Sequence, residues 1–149
     1  MTDFDSVGEF HKKFRLPVTG DTVYSPGAVP QVISDETFLY RYQHLHEELH
    51  ELVRAQRDRD LPGIADALAD LVYVALGTAH FYGIPFDAVF AEVQRANMAK
   101  ERADGSNDPR SKRGSAFDVV KPTGWQPPDI IGVLRAAGYN RRACQVEKA

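Results

Sequence analysis

Between Tyr40 and Gly83 the chain reads YRYQHLHEELHELVRAQRDRDLPGIADALADLVYVALGTAHFYG. This stretch limits the fold more than any other, because it spells two consecutive helices that each carry a carboxylate cluster. Glu47, Glu48 and Glu51 fall within about one turn of the first helix. Asp66 and Asp70, four residues apart, share a face of the second. Packed antiparallel, the two helices bring these acids together, and acids so placed repel one another unless a cation lies between them. A cluster of carboxylate oxygens is the ligand set that hard divalent ions prefer.

The first of these helices is expected from about residue 36 to 58, opened by Ser34 with acids in its first turn. Phe38, Tyr42, Leu45, Leu49 and Leu52 recur every three or four residues and predict one buried stripe. Glu48 and Glu51 lie on a shoulder of that stripe, and Glu47 further toward the polar side. Asp60 and Pro62 suit the start of the second helix, which is apolar nearly all round after Asp70 and is expected to be central and covered on most sides. An acid there without a partner would cost several kcal/mol, about what an uncompensated buried charge costs. Asp66, near the helix start, has a capping role as its plainer explanation. Asp70 has none.

Before this pair, Phe4, Val7, Phe10, His11 and Phe14 predict a short amphipathic helix over residues 3 to 15, followed by a Gly- and Pro-containing loop over 18 to 34. After it, Gly83 suits a C-cap and Pro85 the start of a third long helix to about Arg102. The tail from Ala103 is rich in Gly, Pro, Ser and charge, with one weak strand at Asp118 to Lys121 and a last helix at about 129 to 137. The whole is read as all-α, a single domain over 1–149 with its core at about 36–102 and a C-terminal loop and short helix over 103–149. Helices with so much apolar face in a chain this small predict a bundle completed by a second subunit.

A net charge of −3 argues against a nucleic-acid surface. No uninterrupted apolar run is read as a membrane span of about 20 residues. A lone cysteine, Cys144, excludes an internal disulfide framework, and the opening MTDFDSVGEFHKKF lacks a signal-peptide layout. The expected address is the cytoplasm.

His46-Glu47-Glu48-Leu49-His50 also matches the H-E-x-x-H pattern of zinc metallopeptidases. On the helical wheel His46 and His50 point to the polar side, away from Glu48 and Glu51, so only one of the two sites is expected to face a cleft bounded by the core. The chain also lacks the strands that would offer a peptide a binding edge.

Taken in order, EFHKKF, EELHEL, DALADLVYVALGTAHFYGIP, VFAEVQRANMAK and VVKPTGWQPPDI resemble the all-α nucleoside triphosphate pyrophosphohydrolases, the superfamily of MazG-like proteins, dimeric dUTPases and phosphoribosyl-ATP pyrophosphohydrolase. The resemblance is greatest to the small MazG-like, dUTPase-type members. It implies Glu48 and Glu51 as the E-x-x-E metal ligands, Glu47 as the adjacent catalytic acid, and Asp70 as the acid that closes the family's E-x-x-D element. The first acid of that element falls on Ala67, a departure for which Asp66 is the candidate substitute. Asn97 and Lys100 match the N-x-x-K element near the nucleotide and its phosphates.

The activity implied is Mg²⁺-dependent cleavage of a nucleoside triphosphate, dUTP or another deoxynucleotide, to a monophosphate and pyrophosphate, with Mn²⁺ as a possible substitute metal. Glu48 would act in catalysis as well as ligation, and Glu47 would take a proton from water. Lys100, Lys112, Arg113 and Lys121 are candidates for the outer phosphates and His11 for the base, while Trp125 is read chiefly as a pin for the tail. A homodimer or homotetramer is expected. Phosphoribosyl-ATP hydrolysis, the zinc peptidase and an inactive nucleotide-binding relative are the alternatives.

Overall fold

A computed structural model describes residues 1–140, and Cys144 lies outside them. The chain forms α1 (Asp3–Lys13), a 3₁₀ turn at Thr22–Tyr24, α2 (Asp35–Asp58), α3 (Leu61–Tyr82), α4 (Phe86–Met98), the short strands β1 (Glu101–Arg102) and β2 (Val119–Val120), and α5 (Ile130–Ala136). The all-α expectation holds, with one two-residue antiparallel pairing of β1 and β2 as the only sheet among the described residues.

Each helix except α4, which Pro85 precedes without a side-chain cap, starts where a side chain takes up one of its first free N–H groups. Thr2 and Asp5 form a capping box on α1. The Ser34 hydroxyl accepts from the Thr37 amide on α2, and Asp60 accepts from the Gly63 amide on α3. Between α2 and α3 the chain turns over at Arg59, whose φ of 59° is left-handed, so the two longest helices make an antiparallel hairpin. Gly83 closes α3 at φ 66°, and any Cβ there would collide with the backbone of Gly27 and Val29.

The core sits at one end of this hairpin. Phe4 and Val7 of α1 pack on Leu76 and Ala79 of α3, with Ile84 and Phe86 alongside. Three expectations need correction. The stripe on α2 is not buried within one chain: Phe38, Tyr42 and Leu49 are each about half exposed, because α1 covers α3 rather than the outer face of α2. For the same reason α3 is open over its first half, with Leu61, Leu68 and Val72 exposed. Length and composition alone would let α3 cross a membrane, with a best-window mean hydropathy of 1.3, although Asp66 and Asp70 interrupt it.

The third correction concerns α4, which stops at Met98 rather than near Arg102. Glu101 and Arg102 pair with Val120 and Val119 instead, and the Ala103 amide donates to the Asp118 carbonyl. The tail that follows is tied by charge. Asp108, buried, accepts from the amides of Asp104 and Arg110 and from the Arg110 guanidinium, and Asp118, also buried, accepts from Ser111 and Arg113. The Trp125 indole N–H donates to the Ala96 carbonyl at 2.7 Å and fastens the tail to α4, as its aromatic body and polar edge allow.

Candidate active site

The hairpin brings the acids of α2 and α3 to one place. Glu48 is half-buried; one of its oxygens, Oε2, is fully buried and has no hydrogen-bond partner among the described residues. Its carboxyl is raised above the ordinary value, first by burial and then by the negative fields of Asp70, Glu51, Glu47 and Asp66. All four of the other predicted acids therefore act on Glu48 electrostatically. The charged form of a buried oxygen in the field of like charges is disfavoured, and a divalent cation would relieve it.

The donor set suits a hard cation, though the side chains as placed are not closed around a point. No three His, Cys, Asp or Glu side chains among the described residues form a ready metal cage. Glu51 leans instead toward Arg54, at 3.5 Å across an exposed pair. Asp66 and Asp70 are exposed, whereas Ala67, where the family's acid would fall, is buried.

The histidines need a correction. His46 and His50 are exposed, their ring centroids 4.3 Å apart, and they border the same shallow hollow as Glu47, Glu48, Glu51 and Arg54. The wheel put them on a separate face. Side chains this long, on neighbouring positions, bend into one hollow despite a 100° step between residues.

Beside the acids lies a cavity of about 390 Å³ between α1, α2 and α3. Phe10, Phe14, Tyr40 and Tyr73 give it aromatic walls, and His11, Arg41, His44, Glu47 and Glu48 give it polar ones. Phe10 meets Tyr73 edge to face at 5.5 Å and packs on Phe14 at 4.6 Å. These rings are 39–53% exposed, so the cavity offers open aromatic faces rather than a filled core.

His11 is buried. Its Nδ1–H donates to the Pro17 carbonyl at 2.5 Å, and Nε2 is turned toward Gly77 and Arg41. A Cβ at Gly77 would lie 2.9 Å from that Nε2 and 3.1 Å from Arg41 Nη2, so only glycine lets both side chains in. Arg41 is only 6% exposed. It donates from Nε to the Thr78 hydroxyl at 3.1 Å and from Nη2 to the Val74 carbonyl at 3.0 Å, and its guanidinium lies 5.0 Å from the Phe81 ring centre. Burial draws its pKa down. No carboxylate among the described residues pairs with it.

The remaining predicted residues lie elsewhere. Lys100 donates to Asn97 at 2.8 Å and stands near the Trp125 ring, over which Lys121 also lies at 4.3 Å. Arg113 is engaged by Asp118 within the tail, and Lys112 is exposed. None of these lines the cavity. A larger hollow of about 650 Å³, between α1 and the start of α4, has two of its acids already engaged: Asp5 caps α1, and Asp87 accepts from Thr2. Arg41, His44, Tyr40 and Tyr73 were not singled out from the sequence. For Arg41 there was a signal, since it stands three after Phe38 and four before Leu45, a cation on an apolar stripe.

The site is thus an all-α hairpin that carries carboxylates on both helices beside an aromatic cavity. The sequence model of the phosphoribosyl-ATP pyrophosphohydrolase family matches residues 7–97, which hold α1 to α4 almost entire, and the chain belongs to that family. It is also 33% identical over 86 residues to an uncharacterized protein of Acanthamoeba polyphaga mimivirus. That match covers 58% of the chain and 33% of the viral protein, so the chain spans about a third of its relative.

Proposed function

We propose that this protein is a Mg²⁺-dependent nucleotide pyrophosphohydrolase that cleaves a nucleoside triphosphate, of dUTP or related deoxynucleotide type, to the monophosphate and pyrophosphate. One observation carries the reading: the buried, unpartnered Oε2 of Glu48, whose carboxyl lies in the negative field of four further acids. Glu48, Glu51 and Asp70 would hold the metal, with Asp66 in place of the acid that Ala67 cannot supply. Magnesium bound there would supply charge neutralisation for the phosphates and a lowered pKa for an attacking water.

Glu47, which borders both the hollow of acids and the aromatic cavity, would take a proton from that water. Water's oxygen bonds to phosphorus as the bridging P–O bond breaks, and pyrophosphate leaves with the electron pair. Lys100, Lys112, Arg113 and Lys121 would meet the outer phosphates only if the tail swings toward the hairpin. The exposed apolar faces of α2 and α3 support assembly as a homodimer or homotetramer, and the address proposed with it is the cytoplasm.

Phosphoribosyl-ATP hydrolysis is the second reading, favoured by the name of the matching family. A panel of deoxynucleotides, ribonucleotides and phosphoribosyl-ATP with Mg²⁺, assayed for pyrophosphate on wild type and Glu48→Gln, tests both. Release from one substrate, lost in the variant, is expected. No release from any of them would reject the function.

A further inference from the structure

The feature that the acid cluster leaves unexplained is Arg41. A guanidinium carries five N–H groups and no acceptor. Here Nε–H is used by Thr78, one Nη2–H by Val74, and one Nη1–H reaches His44 Nδ1 at a long 3.5 Å. One N–H on each terminal nitrogen is left without a protein acceptor among the described residues. A buried cation that its own chain does not neutralise or saturate is costly, yet this one is fixed in place by α3 and the Phe81 ring and lines the aromatic cavity.

Position decides what it meets. Arg41 is seven residues from Glu48 on α2, two turns or about 10 Å along the axis. That span is comparable to the reach of a nucleotide from base to phosphates. With the phosphates at the acids, the group beside Arg41 is the base, held between exposed aromatic faces such as those of Phe14 and Tyr40.

We propose that Arg41 is the specificity-determining residue of this cavity, its free N–H groups donating to a carbonyl oxygen on the substrate's base, so that the cavity accepts bases carrying an oxo group at that edge, as uracil does, and rejects those carrying an amino group there, as cytosine does. This rests on the nucleotide reading above. Against an amino group, Arg41 would set donor against donor and leave both buried and unpaired, the arrangement by which a polar pocket discriminates most strongly.

Calorimetric titration with non-hydrolysable α,β-imido-dUTP, α,β-imido-dCTP and inorganic tripolyphosphate, each with Mg²⁺, decides the matter without relying on turnover. The wild type is expected to bind the uracil analogue at least about tenfold tighter than the cytosine analogue. In Arg41→Gln, whose side chain offers an acceptor as well as donors, that ratio should fall toward one while tripolyphosphate affinity stays unchanged.

Equal affinities in the wild type overturn the proposal, whether or not the variant folds. So does a variant that loses tripolyphosphate as severely as nucleotide, which would make Arg41 a phosphate contact or a structural strut. A wild type that discriminates between the analogues yet hydrolyses nothing would reject the hydrolase and leave Arg41's role standing.

Discussion

Arg41 and Thr78 are joined across the hairpin by an Nε–H···Oγ1 hydrogen bond of 3.1 Å, which marks where α2 and α3 stand level. Because the helices run antiparallel, each step along one is matched by a step back along the other. Seven residues from that bond Glu48 comes level with Leu71, beside Asp70, and ten residues away Glu51 comes level with Leu68, within a turn of Asp66. The polar contact at the cavity and the acids thus lie on one seam of the hairpin.

Glu48→Gln separates stability from function. Burial and four acids raise the Glu48 carboxyl, so its ionised form at neutral pH is held against its environment. Removing the charge should raise the melting temperature of the metal-free protein. The same change should abolish the further rise that Mg²⁺ or Mn²⁺ produces in wild type. Thermal melts with and without metal check both signs, and a variant less stable than wild type that still responds to metal would contradict the site.

Gly77→Ala should disturb the cavity from behind. The new methyl meets His11 Nε2 and Arg41 Nη2 at contact distances that neither buried side chain can relieve freely. A loss of about 1–3 kcal/mol, the usual effect of overpacking, is expected in urea denaturation. Substrate KM should rise alongside it.

Two buried histidines make the α1–α3 seam sensitive to acid. His80 stacks on Phe4 with ring centres 3.9 Å apart, its Nε2–H donating to the Phe4 carbonyl and its Nδ1 accepting from the Thr19 amide, which commits it to the neutral form. Burial lowers the pKa of both His80 and His11. The unfolded chain, with ordinary histidines, takes up protons first as pH falls below about 6.5, so stability is full above that value and declines through the window beneath it. Melting temperatures between pH 7.5 and 5.5 should fall by several degrees, and His80→Gln should flatten the slope.

The open apolar faces of α2 and α3 predict self-association. Light scattering should report a dimer or tetramer, and Leu49→Glu combined with Val72→Glu should shift it to monomer with the helical circular dichroism largely retained. A wild type that stays monomeric at tens of micromolar would contradict this assembly.

Much of this was legible in the chain because helices announce themselves locally. Ser34, Asp60, Pro62 and Gly83 mark their ends, and the spacing of Glu48, Glu51, Asp66 and Asp70 puts acids on facing sides of one hairpin. What escaped depends on contacts remote in sequence. Arg41 owes its burial to Thr78 and Phe81, about 40 residues on, and the aromatic cavity needs α1 folded back over the hairpin. The overestimate of burial on α2 and α3 has a single cause: periodicity reports which face is apolar and cannot say whether its cover comes from the same chain. The end of α4 was overrun because the strand that captures Glu101 and Arg102 lies beyond a loop.

The knot around Asp108 answers acid differently from the rest of the molecule. Held by Arg110 and two backbone amides, its carboxyl stays ionised far below the usual range, so its contribution, full above about pH 4, survives until strongly acid solution. Mild acidification thus attacks opposite ends of the chain in sequence. The contacts of α1 with α3 lose stability first as pH falls, and those that hold the loop past α4 keep theirs into stronger acid.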